Sequence, residues 1–308
     1  MIEVSVRDGD EIVKLETYAD RLLQFKKKKM HLINISQEVE FLEDTYMHKG
    51  VLHPAAVCKT DFGIAWVNRQ GCYLYNGESI TDLLEKGGRQ IIKESDWLSF
   101  TTDNSIIGYV PKKRQLIVLK DCTATSTGDI YLFDMVTQSW TKGDSKFTDS
   151  KIQTNFVTDW NNDLVHVHTS GTATPNKWSD TSVASGSNFS LKTRDIAFGQ
   201  PAVRKKVYKV YVSYKGDGTT VTINYSVNGD TDTVAPFYLT TSDGSTEGAT
   251  SDTTPLLNVG TDDWVSAELK PVSSISNVYS FQLIFSGTAP ADFEINDISI
   301  IYRMKSIK

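Results

Sequence analysis

Cysteine is scarce in this chain. Cys58, Cys72 and Cys122 are the only three among 308 residues, widely spaced and without a CxxC pair. An odd, scattered set makes neither a disulfide framework nor a zinc ribbon, so the thiols are read as reduced and buried, made in a reducing compartment. Helix signals are scarce too: only Asp10–Gln24 and Ile80–Lys93 are helix-compatible, and both are weakly periodic. No run of about 18 apolar residues occurs, which excludes a membrane-spanning helix. Met1–Asp8 has neither the basic start nor the apolar core of a signal peptide. Excess charge is small, 32 Lys+Arg against 38 Asp+Glu for a net −6. The chain as a whole therefore has no electrostatic reason to hold nucleic acid or an anionic membrane. There is no Gly-rich phosphate loop, GxSxG, Cys–His pairing or HExxH. The expectation is a protein that is not an enzyme and uses no cofactor or metal.

What the sequence does have is strand and turn chemistry: Val, Ile, Thr, Tyr and Phe punctuated by Gly, Asn, Asp and Ser. Up to about Ser190, four segments share one logic, a strand, a turn and a second strand. They are Leu22–Phe25 with Met30–Ile35, Gly63–Val67 with Cys72–Tyr75, Ile106–Val110 with Gln115–Leu119, and Phe156–Trp160 with Leu164–His168. The third continues through Ile130–Asp134 to Trp140, a further strand pair. The hairpins recur roughly every 40–50 residues, the spacing of propeller blades. Blades cannot bury both faces alone and so stack around an axis. Four are few for a closed ring, and residues 1–21 offer no evident opening strands.

Thr169–Phe189 is rich in Ser, Thr, Gly and Asn and reads as a long loop. Composition shifts at Gly199-Gln200-Pro201. Beyond it, Tyr208, Val210, Val212 and Tyr214 alternate with polar residues, as do Val221, Ile223, Tyr225 and Val227, then Tyr279, Phe281, Leu283 and Phe285. Such period-two runs each put one face in a core and one in water. The fold class expected is all-β: a partial or small β-propeller-like region over residues 1–199, then an antiparallel, jelly-roll-like β-sandwich over 200–308. Thr240–Pro255 reads as a polar loop.

Several residue groups invite a functional reading. Lys26, Lys27, Lys28 and Lys29 form one hairpin tip. Lys112, Lys113 and Arg114 form another, read as equivalent in position, so that the two would line one basic rim. Tyr211 and Trp264 in the sandwich are candidates for stacking on sugar rings. His166 and His168 are two apart on a strand, a metal half-site without a third ligand. Asn228–Asp232 lacks the Glu that completes a calcium loop and reads as Asx turns.

The segment Gly63-Ile64-Ala65-Trp66-Val67-Asn68-Arg69-Gln70-Gly71-Cys72-Tyr73-Leu74-Tyr75-Asn76-Gly77 resembles a blade of the structural propellers of tailed phages. Leu22–Ser36 and Ile106–Trp140 are similar. Asp195–Tyr211 resembles the junction between such a propeller and its terminal sandwich, and Asp297–Arg303 its closing strand. The likeness covers most of the chain and rests on packing and turn motifs. It implies a virion protein of the tail or tail nozzle, made in the host cytoplasm and assembled as a symmetric ring. Its implied partners are other copies of itself, other tail or connector proteins, and packaged DNA contacted without regard to sequence, with no membrane. The chain is much shorter than the large nozzle proteins of short-tailed phages. The alternative reading is a carbohydrate-binding or host-recognition module carried on the sandwich.

Overall fold

A computed structural model describes residues 8–123, 128–147, 156–170, 172–178, 187–216, 218–230, 233–241, 246–247, 256–257, 264–289 and 293–305. The fold is all-β, with one short helix among the described residues. The chain divides into two units, 1–178 and 179–308. The division precedes the Gly199–Pro201 boundary expected from composition, because strand Ser187–Lys192 pairs into the sheets of the second unit.

The first unit is a succession of meanders. β1 (Ile12–Tyr18), β2 (Arg21–Lys26), β3 (Lys29–Asn34) and β4 (Phe41–Met47) form one antiparallel sheet, paired in chain order. β5 (Val57–Thr60), β6 (Gly63–Asn68), β7 (Gly71–Tyr75) and β8 (Ile80–Asp82) form the next. A two-residue pair, β9 (Glu85–Lys86) and β10 (Arg89–Gln90), and the helix α1 (Glu94–Phe100) follow. β11 (Ile106–Val110), β12 (Gln115–Leu119), β13 (Ile130–Asp134) and β14 (Ser139–Gly143) make the third four-stranded sheet. β15 (Val157–Thr158), β16 (Leu164–Ser170) and β17 (Thr172–Lys177) make a three-stranded one.

Three expectations are corrected here. Asp10–Gln24 is not helical but holds β1 and the start of β2. Its alternation is hidden by a bulge between Ile12 and Lys14, which adds one residue and shifts the parity. Ile80–Lys93 is likewise strand and turn, and the helix begins only at Glu94. The polar stretch after Thr169 carries β17, which among the described strands is an edge strand paired to β16 alone, where Pro175 costs no ladder bond.

Single strands of the second and third four-stranded sheets are buried on both faces: every residue of β11 is buried, and so are Ile64, Ala65, Trp66 and Val67 of β6, whereas β14 at the far edge of its sheet is largely exposed. β11 runs beside β5, first strand against first strand. One core joins the first three sheets through Leu23, Phe25, Trp66, Tyr75, Ile107, Leu116 and Val118. α1 plugs it with Trp97, whose Nε1 donates to the Asn68 carbonyl at 3.0 Å and whose ring meets Phe100, Tyr131 and Trp140. At the Asn76-Gly77 turn between β7 and β8, Gly77 takes φ +103°, and the Asn76 side chain accepts from the Glu78 and Ser79 amides.

The second unit is sandwich-like. β18 (Ser187–Lys192), β26 (Phe281–Ala289) and β20 (Gly218–Val227) form one sheet, with β23 (Leu256–Leu257) on β20. β21 (Ala235–Thr241), β24 (Val265–Pro271), β19 (Lys205–Lys215) and β27 (Glu294–Met304) form the other, with β22 (Thr246–Glu247) on β21. β25 (Ile275–Val278) joins β19 on the β24 side, and β21 also pairs with the end of β20. The two sheets close on one core of Val210, Val212, Tyr214, Val221, Ile223, Leu269, Phe281, Leu283 and Phe285. Full burial of such side chains stabilises by about 1.5–3 kcal/mol each. Tyr208 departs from the expected core face: a bulge between Val207 and Lys209 turns it outward. Tyr279 is also exposed, because it precedes β26. Lys205 is 0% exposed, its ammonium donating to the carbonyls of Gln200 and Tyr279. Burial lowers its pKa. The Thr240–Pro255 loop falls largely outside the described residues.

Candidate functional site

The lysine tip sits between β2 and β3, and three carboxylates just before β1 fold onto it. Lys26 is 4% exposed, and its Nζ and that of Lys29 both lie 2.7 Å from the same oxygen of Asp8. Lys27 pairs with Glu11 at 2.7 Å, which lowers the carboxyl pKa and raises that of the amine. Asp10 accepts the backbone amides of Lys27 and Lys28. Lys28 is left as the solvent-facing cation of the tip. The signal that could have found this pairing was the acidic run Asp8-Gly9-Asp10-Glu11, which matches the lysines in opposite sign.

The second basic turn is a 3₁₀ turn, Pro111–Lys113, closed by Arg114 at φ +54°. Lys112 pairs with Asp163 of the β15–β16 turn, which also takes Lys177 at 2.8 Å. Both lysines hold the Asp163 carboxyl below its usual pKa.

The two basic turns are not brought together. β1 opens the first sheet, so the lysine tip joins its second and third strands, whereas Lys112–Arg114 joins the first and second strands of its own sheet. In a meander those turns lie at opposite ends. Contacts agree. Tyr109 donates to Asp61 of the β5–β6 turn at 2.9 Å, placing Lys112–Arg114 at that end. The lysine tip lies with the β6–β7 turn instead: Asn68 donates to the carbonyls of His48 and Gly50, and His48 in turn donates to the Lys28 carbonyl. The single basic rim expected from sequence is therefore corrected to two separate turns: carboxylates pair Lys26, Lys27 and Lys29 in the first and Lys112 in the second.

Tyr211 and Trp264 do share a surface, the outer face of the sheet β21-β24-β19-β27. Tyr211 lies opposite Glu268, and the register carries Trp264 to a place beside Lys215. Four steps along β19 separate the two positions, about 13 Å at the usual strand rise. Trp264 is 49% exposed, with the Lys215 ammonium 5.4 Å above its ring. Ser213 and Ser266 lie between the aromatics, and a charged group stands at Tyr211, on the side away from Trp264. The Tyr211 hydroxyl donates to Glu268 at 2.6 Å, and Lys209 and Lys270 hold its other oxygen at 3.0 and 2.9 Å. The tyrosine bond, then the two lysines, bring the Glu268 pKa down to about 2.

A cleft of about 340 Å³ at one end of the sandwich escaped the sequence reading. Asn228, Asp230, Thr233, Ser273, Ser276 and Asn277 line it, over Tyr225. The Asp230 side chain accepts from the Thr233 amide, in keeping with the turn chemistry expected there, whereas the Asn228 side chain accepts from the distant Tyr279 amide and makes no local turn.

His166 packs edge-on against Phe147 and Phe156, and the side chain of His168 lies outside the described residues. Among the described residues no group of three or more metal-ligating side chains forms. No helix there is long and apolar enough to cross a membrane. Cys58, Cys72 and Cys122 are free, and burial raises each thiol pKa, that of Cys58 to about 12. No family model matches the chain, and no curated protein matches it.

Proposed function

We propose that this protein is a structural component of a phage virion, of the tail or tail nozzle type, that assembles as a symmetric ring and performs no chemistry. One observation carries the reading: three successive four-stranded meanders, with β6 and β11 buried on both faces, followed in the same chain by a sandwich-like unit. Such a succession supports a reading as propeller blades with a terminal domain. Contact with packaged DNA would fall to the cations that remain exposed, such as Lys28 and Arg114. Electron microscopy of the purified chain, together with antibody labelling of virions, tests the reading. Ring particles of fixed rotational order and labelled tails are expected. A strictly monomeric protein that is absent from virions overturns it.

A second reading has an observation of its own. Tyr211 and Trp264 lie on one outer sheet face with polar side chains between them, a layout suited to stacking on successive sugars. Glycan-array binding that disappears in a folded Trp264→Ala variant favours it. Binding unchanged by that substitution removes it.

A further inference from the structure

Among the described residues, the closing strand β27 is paired along one edge only. β19 takes its whole length, from Lys205 opposite Met304 to Lys215 opposite Glu294. No described strand lies on the other side of its eleven residues. Such an edge presents a row of backbone donors and acceptors ready to pair with another strand. Its side chains are suited to contact as well, since Ile301 is 48% exposed and Tyr302 and Met304 are each 37% exposed.

The register with β19 fixes which face each residue takes. Asn296 is an extra residue at a bulge, so the regular stretch runs from Asp297 to Met304. Asp297, Ser299, Ile301 and Arg303 oppose Ser213, Tyr211, Lys209 and Lys206 on the outer face. Ile298, Ile300 and Tyr302 oppose Val212, Val210 and Val207, which are buried in the core.

We propose that β27 pairs antiparallel with β27 of a second copy, about a two-fold axis through Ile300. Residues directly opposite one another in an antiparallel pair share a face, so a two-fold register must join positions of equal parity. Centring on Ile300 sets Asp297 opposite Arg303, Ile298 opposite Tyr302 and Ser299 opposite Ile301, each twice by symmetry. Asp297 and Arg303 are the only charged residues of the regular stretch. In this register the strand is complementary in charge to itself, and that complementarity selects a second copy as the occupant. The contact is isologous and extends the sheet across both copies.

The test is sedimentation velocity on the full chain over a concentration series, with Asp297→Arg, Arg303→Asp and the combined exchange. Each single exchange faces like charges twice and is expected to weaken self-association about tenfold or more. The combined exchange restores it, because each altered residue again meets its opposite, and restoration also shows that the exchanges leave the fold intact. A wild-type chain that is monomeric at every concentration overturns the proposal. So does an oligomer that both single exchanges leave unchanged, as a ring closed only by other surfaces would be, or a combined exchange as defective as the singles.

Discussion

The two units of this chain solve the same problem, an all-β core, in opposite ways. In the first, every four-stranded sheet pairs its strands in chain order, and successive sheets meet through β1 with β6, β5 with β11 and β11 with β15. In the second, β19 takes β24, β25 and β27 as partners, and β18 takes β26. Nearest neighbours in space there are distant in sequence. Local pairing closes short loops at little entropic cost, whereas long-range pairing pays for large loops before contacts return anything. The first unit is therefore built sheet by sheet in chain order, onto a core that its first three four-stranded sheets share. The second is a single core shared by strands from its beginning and its end.

The largest expected effect tests that single core. Phe281 is fully buried against Tyr225 and flanked by Leu283. Phe281→Ala should cost about 3–5 kcal/mol. Hydrogen exchange followed by mass spectrometry should show protection falling together in β18, β19, β20, β24, β26 and β27, with β5–β14 unchanged. Loss confined to β26 and its immediate neighbours would break the contrast between the units.

A smaller effect tests the serial character of the first unit. Asp8 holds the buried Lys26 and its neighbour Lys29. Asp8→Ala should cost about 1–3 kcal/mol, because a buried ammonium loses its charged partner. The exchange it causes should stay within β1–β4. If protection also drops across β11–β14, the sheets are coupled more tightly than their pairing implies.

The smallest effect sets an outer face against a core. The folded-state pKa of Glu268 lies below its unfolded value, so its contribution is present above about pH 4.5 and is lost as pH falls toward 2. After solvent screening this amounts to roughly 1–2 kcal/mol. Chemical denaturation of wild type and Glu268→Gln between pH 5 and pH 2.5 checks it. The stability of the variant should fall less steeply with acid, and parallel curves would deny the pairing its role.

Where a strand alternates cleanly, the sequence was enough: β20 and β26 were legible from Val221, Ile223, Tyr225, Phe281, Leu283 and Phe285, and β6 with β7 from the turn between Asn68 and Gly71. Bulges defeated the pattern elsewhere. Val13 hid β1, and Tyr208 counted as core when the extra residue turns it out. The missing β1 had a further effect. Without it the lysine tip looked like the first turn of its sheet, and the two basic turns looked alike. Charge pairing was harder to read: the acidic run Asp8–Glu11 matches the lysine tip in opposite sign, but nothing local to Lys112 names Asp163 as its partner. Tyr211 and Trp264 could be nominated as aromatics, but only the pairing of β19 with β24 places them on one face.

Lys205 gives the sandwich a chemical reporter of its own breathing. Its amine is sealed between the Gln200 and Tyr279 carbonyls, so an amine-reactive reagent can reach it only when that end of β19 comes open. The rate of its modification, set against that of an exposed lysine such as Lys28 in the same sample, measures how often the opening occurs. Covalent capture would hold the unit in its open form, since a modified side chain no longer fits the space it left.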